Sequence, residues 1–413
     1  MPFIAMLRSV VRDGSLCVID AAGRTHVIGD GSAPEATLRL TSKASEYALA
    51  FNPALSVGEA YMDGRLIIEE GSLYGFLDVV ARNYGPAGQH PWLVLLNRLR
   101  RRLKQSNPVD RARRNVAHHY DLTPELYDIF LDKDRQYSCA YFQSPDDSLD
   151  RAQENKKRHI AAKLHLDRPG LKVLDIGSGW GGLSLYLAEK FGADVTGVTL
   201  SREQHVFSTR RAAQSRAAGR VRFKLQDYRD LDGPFDRIVS VGMFEHVGKR
   251  NYPEFFAKLR SLLAEDGVAL IHSIGYSITP APINPFIRKY IFPGADLPSM
   301  SEIFTAVEPT GLFVTDLEIL RLHYAETLRH WRERFTEASD AVRALYDDRF
   351  FRMWEFYLVL SEIGFRRRTN IVFQMQLARR LDVLPITRDY MTEAEAEDGV
   401  SISGHGRHPA ELG

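Results

Sequence analysis

The stretch Val173-Leu174-Asp175-Ile176-Gly177-Ser178-Gly179-Trp180-Gly181-Gly182 decides the fold of this chain. Its first four residues form a short, mainly apolar run that is typical of a buried strand in a parallel sheet. The glycines that follow allow a sharp turn, at which a ligand can approach backbone amides that no Cβ covers. Residues 183–191 then carry apolar side chains at helical spacing. The stretch therefore predicts a strand, a glycine turn and a helix whose first N–H groups lie free at the turn.

Downstream of this unit, strands and helices alternate at the spacing of βαβ units. Ser201 is a good N-cap for the helix after the second strand, with Gln204 three residues further on. We predict an α/β fold with a doubly wound, seven-stranded, Rossmann-like sheet. Its other strands are expected at residues 194–199, 221–226, 235–241 and 268–274, with 312–319 and 371–377 as the last two, forming an antiparallel edge.

The overall composition restricts partners and compartment. The 413 residues include 54 Lys and Arg against 53 Asp and Glu, so the chain as a whole carries no nucleic-acid signature. Two cysteines, Cys17 and Cys139, argue against a disulfide framework or a cysteine-based zinc site and favour a reducing, cytoplasmic compartment. No apolar stretch is long enough to span a bilayer, so any membrane contact is expected to be peripheral. We expect no nucleic-acid partner and no metal.

The pattern divides the chain into four predicted regions. These are a small α+β domain at 1–95, a basic linker at 96–117, the large α/β domain at 118–390 and a disordered polar tail at 391–413. In the first region, strands are expected at 37–41, 48–51 and 65–68 and a helix at 72–82. In the large domain, helices are expected at 118–122, 126–131 and 137–142.

The basic linker has two interpretations, and both stay open. It contains Arg100, Arg101 and Arg102 together with further Arg and Lys residues and a single acid, Asp110. Such a run is commonly a solvated connection between domains. It can also contact an anionic membrane, since each basic group near such a surface contributes roughly 1 kcal/mol.

Polar and titratable residues follow each predicted strand of the large domain. Thr199 and Leu200 end the second strand, Asp227 and Tyr228 follow the third, and Glu245 follows the fourth. His272 lies in the fifth and, taken alone, is best explained as a core histidine. Because ligands of open parallel sheets bind at the carboxyl ends of the strands, these residues together predict a binding site at that edge.

The glycine turn alone fits several nucleotide cofactors. A dinucleotide site requires an acidic residue at the end of the second strand for the ribose diol, whereas Thr199 offers only a hydroxyl. This weakens the nicotinamide interpretation. The same absence also departs from most enzymes that use S-adenosylmethionine (SAM), so this position does not decide between the two cofactors.

Several motifs in order along the chain resemble one family. They are residues 119–122 (His-Tyr-Asp-Leu), 137–142 (Tyr-Ser-Cys-Ala-Tyr-Phe), 173–182, 197–201 with Gln204, 227–230, 236–248, 290–294 and 323–324. Together they are similar to the cyclopropane-fatty-acyl-phospholipid synthase family, which includes the mycolic-acid cyclopropane synthases and related lipid methyltransferases. The resemblance runs from about residue 115 to 390, and the N-terminal domain resembles that of the bacterial phospholipid-modifying members.

The resemblance implies the fold of SAM-dependent methyltransferases and two sets of site residues. The set implied for SAM is Tyr137, Ser138, Asp175, Gly177, Gly179, Thr199, Leu200, Gln204, Asp227 and Tyr228. The set implied for a bicarbonate ion, and hence for catalysis, is Cys139, Glu245, His272, the backbone of Ile274, and Tyr324. Two positions depart from the family pattern, because Ser178 and Ser361 stand where many or several members have cysteine. Hence no thiol nucleophile is expected at residue 361.

By this resemblance the expected activity is SAM-dependent formation of a cyclopropane ring at the cis double bond of unsaturated phospholipid acyl chains. The chemistry requires a carbocation, which Tyr324 or Phe244 could stabilise, and a base, here bicarbonate, that removes a proton. An ionised Glu245 would repel bicarbonate unless a proton bridges them. The expected location is peripheral, on the inner face of the cytoplasmic membrane at an anionic surface, with a homodimer as an open alternative.

Three other functions are weighed against this one. A lipid C-methyltransferase without ring closure, giving a methyl or methylene branch, is the alternative within the family. A catalytically silent SAM- or lipid-binding module is disfavoured because Cys139, Glu245, His272 and Tyr324 are all present. A small-molecule O- or N-methyltransferase is disfavoured because no feature of the sequence selects a polar acceptor.

Overall fold

The computed structural model describes residues 2–83, 123–278 and 283–397. The linker and the motif at 119–122 therefore lie outside the described residues. Within them, eleven strands form two sheets. The strands are β1 (Ser15–Ile19), β2 (Thr25–Gly29), β3 (Ala36–Leu40), β4 (Leu66–Gly71), β5 (Lys172–Ile176), β6 (Asp194–Thr199), β7 (Val221–Leu225), β8 (Phe235–Val241), β9 (Leu263–Tyr276), β10 (Phe313–Ile319) and β11 (Asn370–Ala378).

The seven-stranded sheet has the order β10-β11-β9-β8-β5-β6-β7. Strands β5 to β9 pair in parallel, and β11 runs antiparallel to both β9 and β10. The predicted α/β fold is confirmed. The antiparallel strand differs from the expectation in one respect, because β11 lies inside the sheet and β10 forms its edge. The chain order reverses between β5 and β8, which opens a crevice after these strands.

Both faces of this sheet are covered, which explains the nearly continuous apolar strands. Adjacent residues of β8, Ile238 and Val239, belong to separate buried clusters. The same holds for Ile271 and Leu270 of β9. Because successive side chains of a strand point to opposite faces, each cluster marks one covered face.

Fourteen α-helices accompany the sheets in the described part of the chain. They are α1 (Pro2–Val10), α2 (Lys43–Phe51), α3 (Pro53–Met62), α4 (Leu73–Asn83), α5 (Pro124–Phe130), α6 (Leu149–Lys163), α7 (Gly182–Phe191), α8 (Arg202–Gln214), α9 (Tyr252–Leu262), α10 (Met300–Val307), α11 (His323–Glu337), α12 (Ser339–Leu345), α13 (Asp348–Arg367) and α14 (Asp389–Glu397). Ser201 caps α8 as predicted, since its hydroxyl accepts from the N–H of Gln204.

The N-terminal sheet has the order β2-β1-β3-β4. One prediction here is wrong, because residues 48–51 belong to helix α2 and not to a strand. Ser42 caps that helix by accepting from the N–H of Ser45, and a four-residue apolar run does not distinguish strand from helix. The segment also contains α1, β1 and β2, which the sequence pattern did not predict.

The N-terminal sheet and its helices pack on helix α13 of the large domain. Phe286, Phe356 and Ile363 belong to the same buried cluster as the core of the N-terminal sheet. Asp78 of α4 accepts a hydrogen bond of 2.8 Å from the guanidinium of Arg367 at the end of α13. Helix α4 thereby lies against the large domain, close to the site described below.

The segment 137–142 was predicted as a helix, and this prediction is wrong. The segment is irregular, and its N–H groups bond to other elements. The N–H of Ala140 donates to Thr327 Oγ1 and that of Phe142 to His323 Nδ1, each at 3.0 Å. Helix α11 supplies both acceptors. Residues 135–139, which overlap the start of this segment, are called the strip below.

The expected disordered tail also needs a correction at its start. Residues 391–397 belong to helix α14, in which Met391 is buried and Glu395 bonds to His159 of α6. An apolar anchor and an ion pair order these residues despite their polar composition. Residues 398–413 lie outside the described part. Among the described residues, no helix combines the length and apolar composition needed to cross a membrane.

Candidate active site

A first cavity lies beyond the carboxyl ends of β5, β6, β7 and β8. All ten residues predicted to bind the cofactor line it: Tyr137, Ser138, Asp175, Gly177, Gly179, Thr199, Leu200, Gln204, Asp227 and Tyr228. The strand ends of the sheet bring most of these residues together, and the strip contributes Tyr137 and Ser138. The sheet edge thus forms the cleft that its topology predicts.

The glycine turn after β5 keeps this cavity open. Gly177 and Gly179 have φ angles of 84° and 52°, in the left-handed region that favours glycine. A Cβ built on Gly179 or on Gly242 would meet no atom within 4 Å, and both glycines line the cavity. A ligand can therefore approach the backbone at both positions.

The end of β6 presents a polar pair to the cavity. The Thr199 hydroxyl donates to Gln204 Oε1 at 2.9 Å and accepts from the N–H of Ser201 at 3.1 Å. Because its carbonyl oxygen is engaged, Gln204 is left with its amide N–H groups to donate. Deeper in the site, burial raises the pKa of Asp175 to about 6, and its carboxyl accepts from the Ser184 hydroxyl at 2.7 Å.

A second cavity adjoins the first. All five residues predicted for catalysis line it: Cys139, Glu245, His272, Ile274 and Tyr324. Apolar side chains from helix α4 (Leu77, Val80, Ala81) and from α13 (Leu360, Ile363, Phe365) form much of its wall. We call Cys139, Glu245, His272, Ile274 and Tyr324 the polar end of this cavity; the rest of its lining is mainly apolar.

Glu245 is the central polar group of the second cavity. Its Oε1 accepts from the backbone N–H of Ile274 at 2.7 Å. Its Oε2 is buried and has no hydrogen-bond partner among the described residues. Burial raises the pKa of this carboxyl to about 7. Glu245 can therefore be protonated or ionised near neutral pH, and one oxygen remains for a ligand.

His272 is held as a neutral imidazole. Burial is the main cause that keeps its pKa well below the ordinary range, and the nearby Lys156 adds to the effect. Its Nδ1 lies 3.1 Å from Nε2 of Gln374 on the neighbouring strand β11. When the amide donates to Nδ1, the imidazole proton resides on Nε2. A neutral donor is the form that suits contact with an anion.

Cys139 and Tyr324 complete the polar end. Burial raises the pKa of the Cys139 thiol far above its ordinary value, and its Sγ donates to the carbonyl of Ala140. Cys139 is consequently a thiol and not a nucleophilic thiolate. Tyr324 packs against Phe365, with ring centroids 4.7 Å apart. Phe244 was the alternative to Tyr324 for stabilising a carbocation. This expectation is wrong, because Phe244 is fully buried against Phe255 and Phe256.

The two cavities adjoin and share part of their lining, which we call the shared wall. Tyr137, Ser138, Gly242 and His246 line both of them. Tyr137 is fixed by a hydrogen bond of 2.8 Å between its hydroxyl and that of Tyr357, and by stacking on Trp331. Burial lowers the pKa of His246 to about 4, so this residue is neutral at physiological pH. Groups in the two cavities meet at this wall.

Two neighbouring residues were missed by sequence reasoning. Lys156 is fully buried and donates to the Ser138 hydroxyl at 2.8 Å. Arg135 lines the first cavity, where its guanidinium lies 5.2 Å from the Trp180 ring centroid. Lys156 lies in a helix with many charged residues, which is typical of a solvated surface. A signal was available for Arg135 alone, because it lies two residues before the Tyr137 motif.

The order of the seven-stranded sheet and the glycine turn after β5 are those of the SAM-dependent methyltransferase class. Comparison with known proteins agrees. The family model described as mycolic acid cyclopropane synthetase matches residues 108–375. The cyclopropane-fatty-acyl-phospholipid synthase of Escherichia coli K12 is 38% identical over 360 residues, covering 87% of this chain and 92% of that protein.

Two further relatives extend the comparison. The tuberculostearic acid methyltransferase of Mycobacterium tuberculosis is 39% identical over 340 residues, 79% of each chain. A mycolic acid cyclopropane synthase solved with S-adenosylhomocysteine (SAH) and CTAB is 34% identical, with a TM-score of 0.62, covering 66% of this chain and 99% of that one. The chain belongs to the mycolic acid cyclopropane synthetase family. This confirms the predicted family and enzyme class, a SAM-dependent methyltransferase.

Proposed function

We propose that this enzyme adds the methyl carbon of SAM to the cis double bond of an unsaturated phospholipid acyl chain and closes a cyclopropane ring. Methyl transfer would leave a carbocation on the chain, and the ring would close when the new methyl group loses a proton. Glu245 and His272 would hold bicarbonate, which would supply the base. The observation that carries the proposal is the second cavity. It combines a buried Glu245 carboxyl, one oxygen of which has no hydrogen-bond partner among the described residues, with a mainly apolar lining that suits an acyl chain.

The residues of the first cavity fit SAM. When bound, SAM supplies an electrophilic methyl group on a positively charged sulfur. The backbone at Gly179 and Gly242 leaves room for close approach, and the Gln204 amide can donate to a ribose hydroxyl. These contacts use neutral groups, which explains how a site without an acid after β6 can hold a nucleoside.

The polar end of the second cavity fits a bicarbonate ion. When bound, bicarbonate supplies a base for the proton released from the transferred methyl group. A protonated Glu245 can donate from Oε2, and the raised pKa supports that form near neutrality. The Ile274 N–H donates to Oε1, the other oxygen of Glu245, and so fixes the carboxyl. A neutral His272 can donate to the anion from Nε2. The repulsion expected between two anions is thereby avoided.

The walls of the second cavity give the reaction its surroundings. A double bond is a weak nucleophile, so it must be held close to the methyl donor and away from water. Aromatic faces of Tyr324 and Phe365, which line the cavity, can stabilise a developing cation on the chain. The resemblance described above gave Tyr324 as one of two residues for this role.

A lipid C-methyltransferase without ring closure is the second candidate. The similarity to the tuberculostearic acid methyltransferase supports it, because that relative is named as a methyltransferase and not as a cyclopropane synthase. Loss of a proton from the same cation without ring closure leaves a branched acid that keeps a double bond and has the same mass as the cyclopropane acid. A saturated methyl-branched acid is two hydrogens heavier, and its formation requires a separate hydride donor.

Fatty acid analysis of membranes from cells that express the protein tests the proposal. We expect a new acid that is one carbon longer than the unsaturated precursor and contains a ring. A methyl-branched acid would favour the second candidate. An unchanged profile, with purified protein still binding SAH, would contradict both and favour a binding module.

A further inference from the structure

Lys156 places a positive charge behind the strip that separates the two cavities. Its side chain on helix α6 is fully buried. Its Nζ donates to Gln136 Oε1 and to Ser138 Oγ, both at 2.8 Å. Both partners are neutral, and no ion pair of the described residues includes Lys156, although the charges of Asp132 and Asp134 favour the ammonium from beyond ion-pair distance. Burial lowers the pKa of Lys156 to about 8, so the ammonium form predominates at pH 7. Burying an ammonium without a carboxylate in direct contact is unfavourable, so we expect a functional reason for this charge.

The hydrogen bonds of the ammonium fix the direction of the next ones. An ammonium has donors only, so Ser138 Oγ must accept. Gln136 is held in orientation because its Nε2 donates to Asp134 at 3.0 Å. The proton of the Ser138 hydroxyl has no acceptor among the described residues, and Ser138 lines both cavities. The hydroxyl is thus left to donate to a ligand.

We propose that Lys156 is a positioning residue that holds the Ser138 hydroxyl as a hydrogen-bond donor to a carboxylate-like oxyanion. The inference rests on the proposed function, which brings two such oxyanions to this wall: the carboxylate of SAM in the first cavity and bicarbonate in the second. The ammonium polarises the hydroxyl and adds an attractive field, which strengthens a hydrogen bond to an anion in a site of low dielectric constant.

Residues other than Lys156 hold the backbone of the strip, because Lys156 bonds only to side-chain atoms of Gln136 and Ser138. Gln153, one turn earlier on α6, donates to the backbone carbonyl of Ser138 at 3.0 Å. The backbone N–H of Gln136 donates to Asp132 at 2.8 Å. A change of Lys156 to an uncharged residue of similar length should consequently leave the backbone path of the strip intact. It should release the Ser138 hydroxyl and the side-chain oxygen of Gln136, and the Ser138→Ala variant below separates these two effects.

Isothermal titration of the full-length protein with SAH and with 5′-methylthioadenosine tests the inference. The second probe lacks the carboxylate. If the SAM carboxylate is the acceptor, Lys156→Met should raise the Kd for SAH about tenfold and change that for 5′-methylthioadenosine less than twofold. If bicarbonate is the acceptor, both affinities should stay unchanged and the bicarbonate concentration for half-maximal activity should rise about tenfold.

Two outcomes would overturn the inference. One is no change in any of these quantities. The other is an equal loss of affinity for both nucleosides, which would report a distorted cavity. Because the titration does not require turnover, it remains informative even if the fatty acid analysis contradicts the proposed function.

Three further variants serve as controls. Ser138→Ala removes only a hydroxyl and should reproduce the effect of Lys156→Met, and the double variant should be no weaker than either. Full additivity would show that Lys156 does not act through Ser138. Lys163→Met removes another buried lysine of α6, which bonds to Glu318 instead of the strip, and should leave SAH affinity unchanged.

Discussion

Glu245 has one carboxyl oxygen fixed by the backbone and one that awaits a partner. The fixed oxygen sets the position of the group, because the N–H of Ile274 belongs to strand β9 in the middle of the sheet. The open oxygen sets its chemistry, because a carboxyl buried without a partner is stable chiefly as the neutral acid. These two facts give separate predictions for turnover and for stability.

Glu245→Gln keeps a hydrogen-bond donor but cannot exchange a proton with a bound anion. It should therefore lower the rate of ring formation by between about a hundredfold and ten-thousandfold, the range for loss of a group in proton transfer. The affinity for SAH should stay unchanged, because Glu245 lines only the second cavity. Product analysis and titration with SAH measure the two effects. Glu254→Gln, an exposed position at the start of helix α9, is the matched control and should affect neither. Lost SAH binding in Glu245→Gln would mean that the residue is misassigned.

The raised pKa of Glu245 also predicts how stability depends on pH. The carboxyl has a pKa of about 7 in the folded protein against 4.5 ordinarily. Between these values the folded state holds a proton that the unfolded chain has released, so rising pH destabilises the wild type through this group. Glu245→Gln lacks this loss. Its free energy of unfolding relative to wild type should increase by roughly 2–3 kcal/mol from pH 5 to pH 8.

Urea unfolding of both proteins in bicarbonate-free buffer measures this difference. Asp175, whose pKa is also raised, contributes to both proteins alike and cancels in the comparison. A difference that is independent of pH would contradict the assignment of the raised pKa to Glu245.

At the scale of elements, helix α4 of the N-terminal region forms part of the wall of the second cavity only. Val80→Glu would place a carboxylate in that apolar wall, which is costly beside a lipid chain. We expect turnover of unsaturated phospholipid to fall at least tenfold while SAH affinity stays within twofold. Ile67→Glu, at a more exposed position of β4, is the control and should leave turnover unchanged. Equal loss in both variants would indicate general destabilisation of the N-terminal sheet.

The elements of the large domain were predictable from the sequence because periodicity and turn residues agree there. The apolar runs of β5 to β9 and the Ser201 cap gave the strands and the helix after β6. Residues 137–142 were not predictable in the same way. Their aromatic spacing resembles a helix, but their N–H groups find acceptors in α11, about 180 residues away in the chain. Such long-range partners leave no local pattern.

At the scale of the whole molecule, the basic linker remains a prediction, since it lies outside the described residues. Replacement of Arg100, Arg101 and Arg102 by Gln should weaken binding to anionic phospholipid vesicles, and the loss should be larger at low salt. Co-sedimentation with vesicles at two salt concentrations measures it. Neutral vesicles are the control. Unchanged binding would identify the segment as a connection between domains.

The candidate site was predictable as a whole because the sheet topology collects strand ends at one edge. All fifteen assigned residues line the two adjoining cavities, although their roles stay predictions. The side chains that support the site were less accessible to sequence reasoning. Lys156 has many charged neighbours in the chain, and only tertiary packing decides which of them turns inward. Phe244 was an alternative for stabilising the carbocation but does not line either cavity. Although it is next to Glu245 in the sequence, its side chain lies in the buried apolar cluster on one face of the sheet.

The partition formed by Tyr137, Ser138, Gly242 and His246 limits how this enzyme can be redesigned. If SAM and the acyl chain occupy the two cavities as proposed, a change in these residues that admits a bulkier alkene would also alter the SAM-binding cavity, so acyl selectivity and SAM affinity would change together. Mutations in helix α4, which lines the second cavity only, should change acyl selectivity without changing SAM affinity. A library that aims at new acyl preferences should therefore begin there.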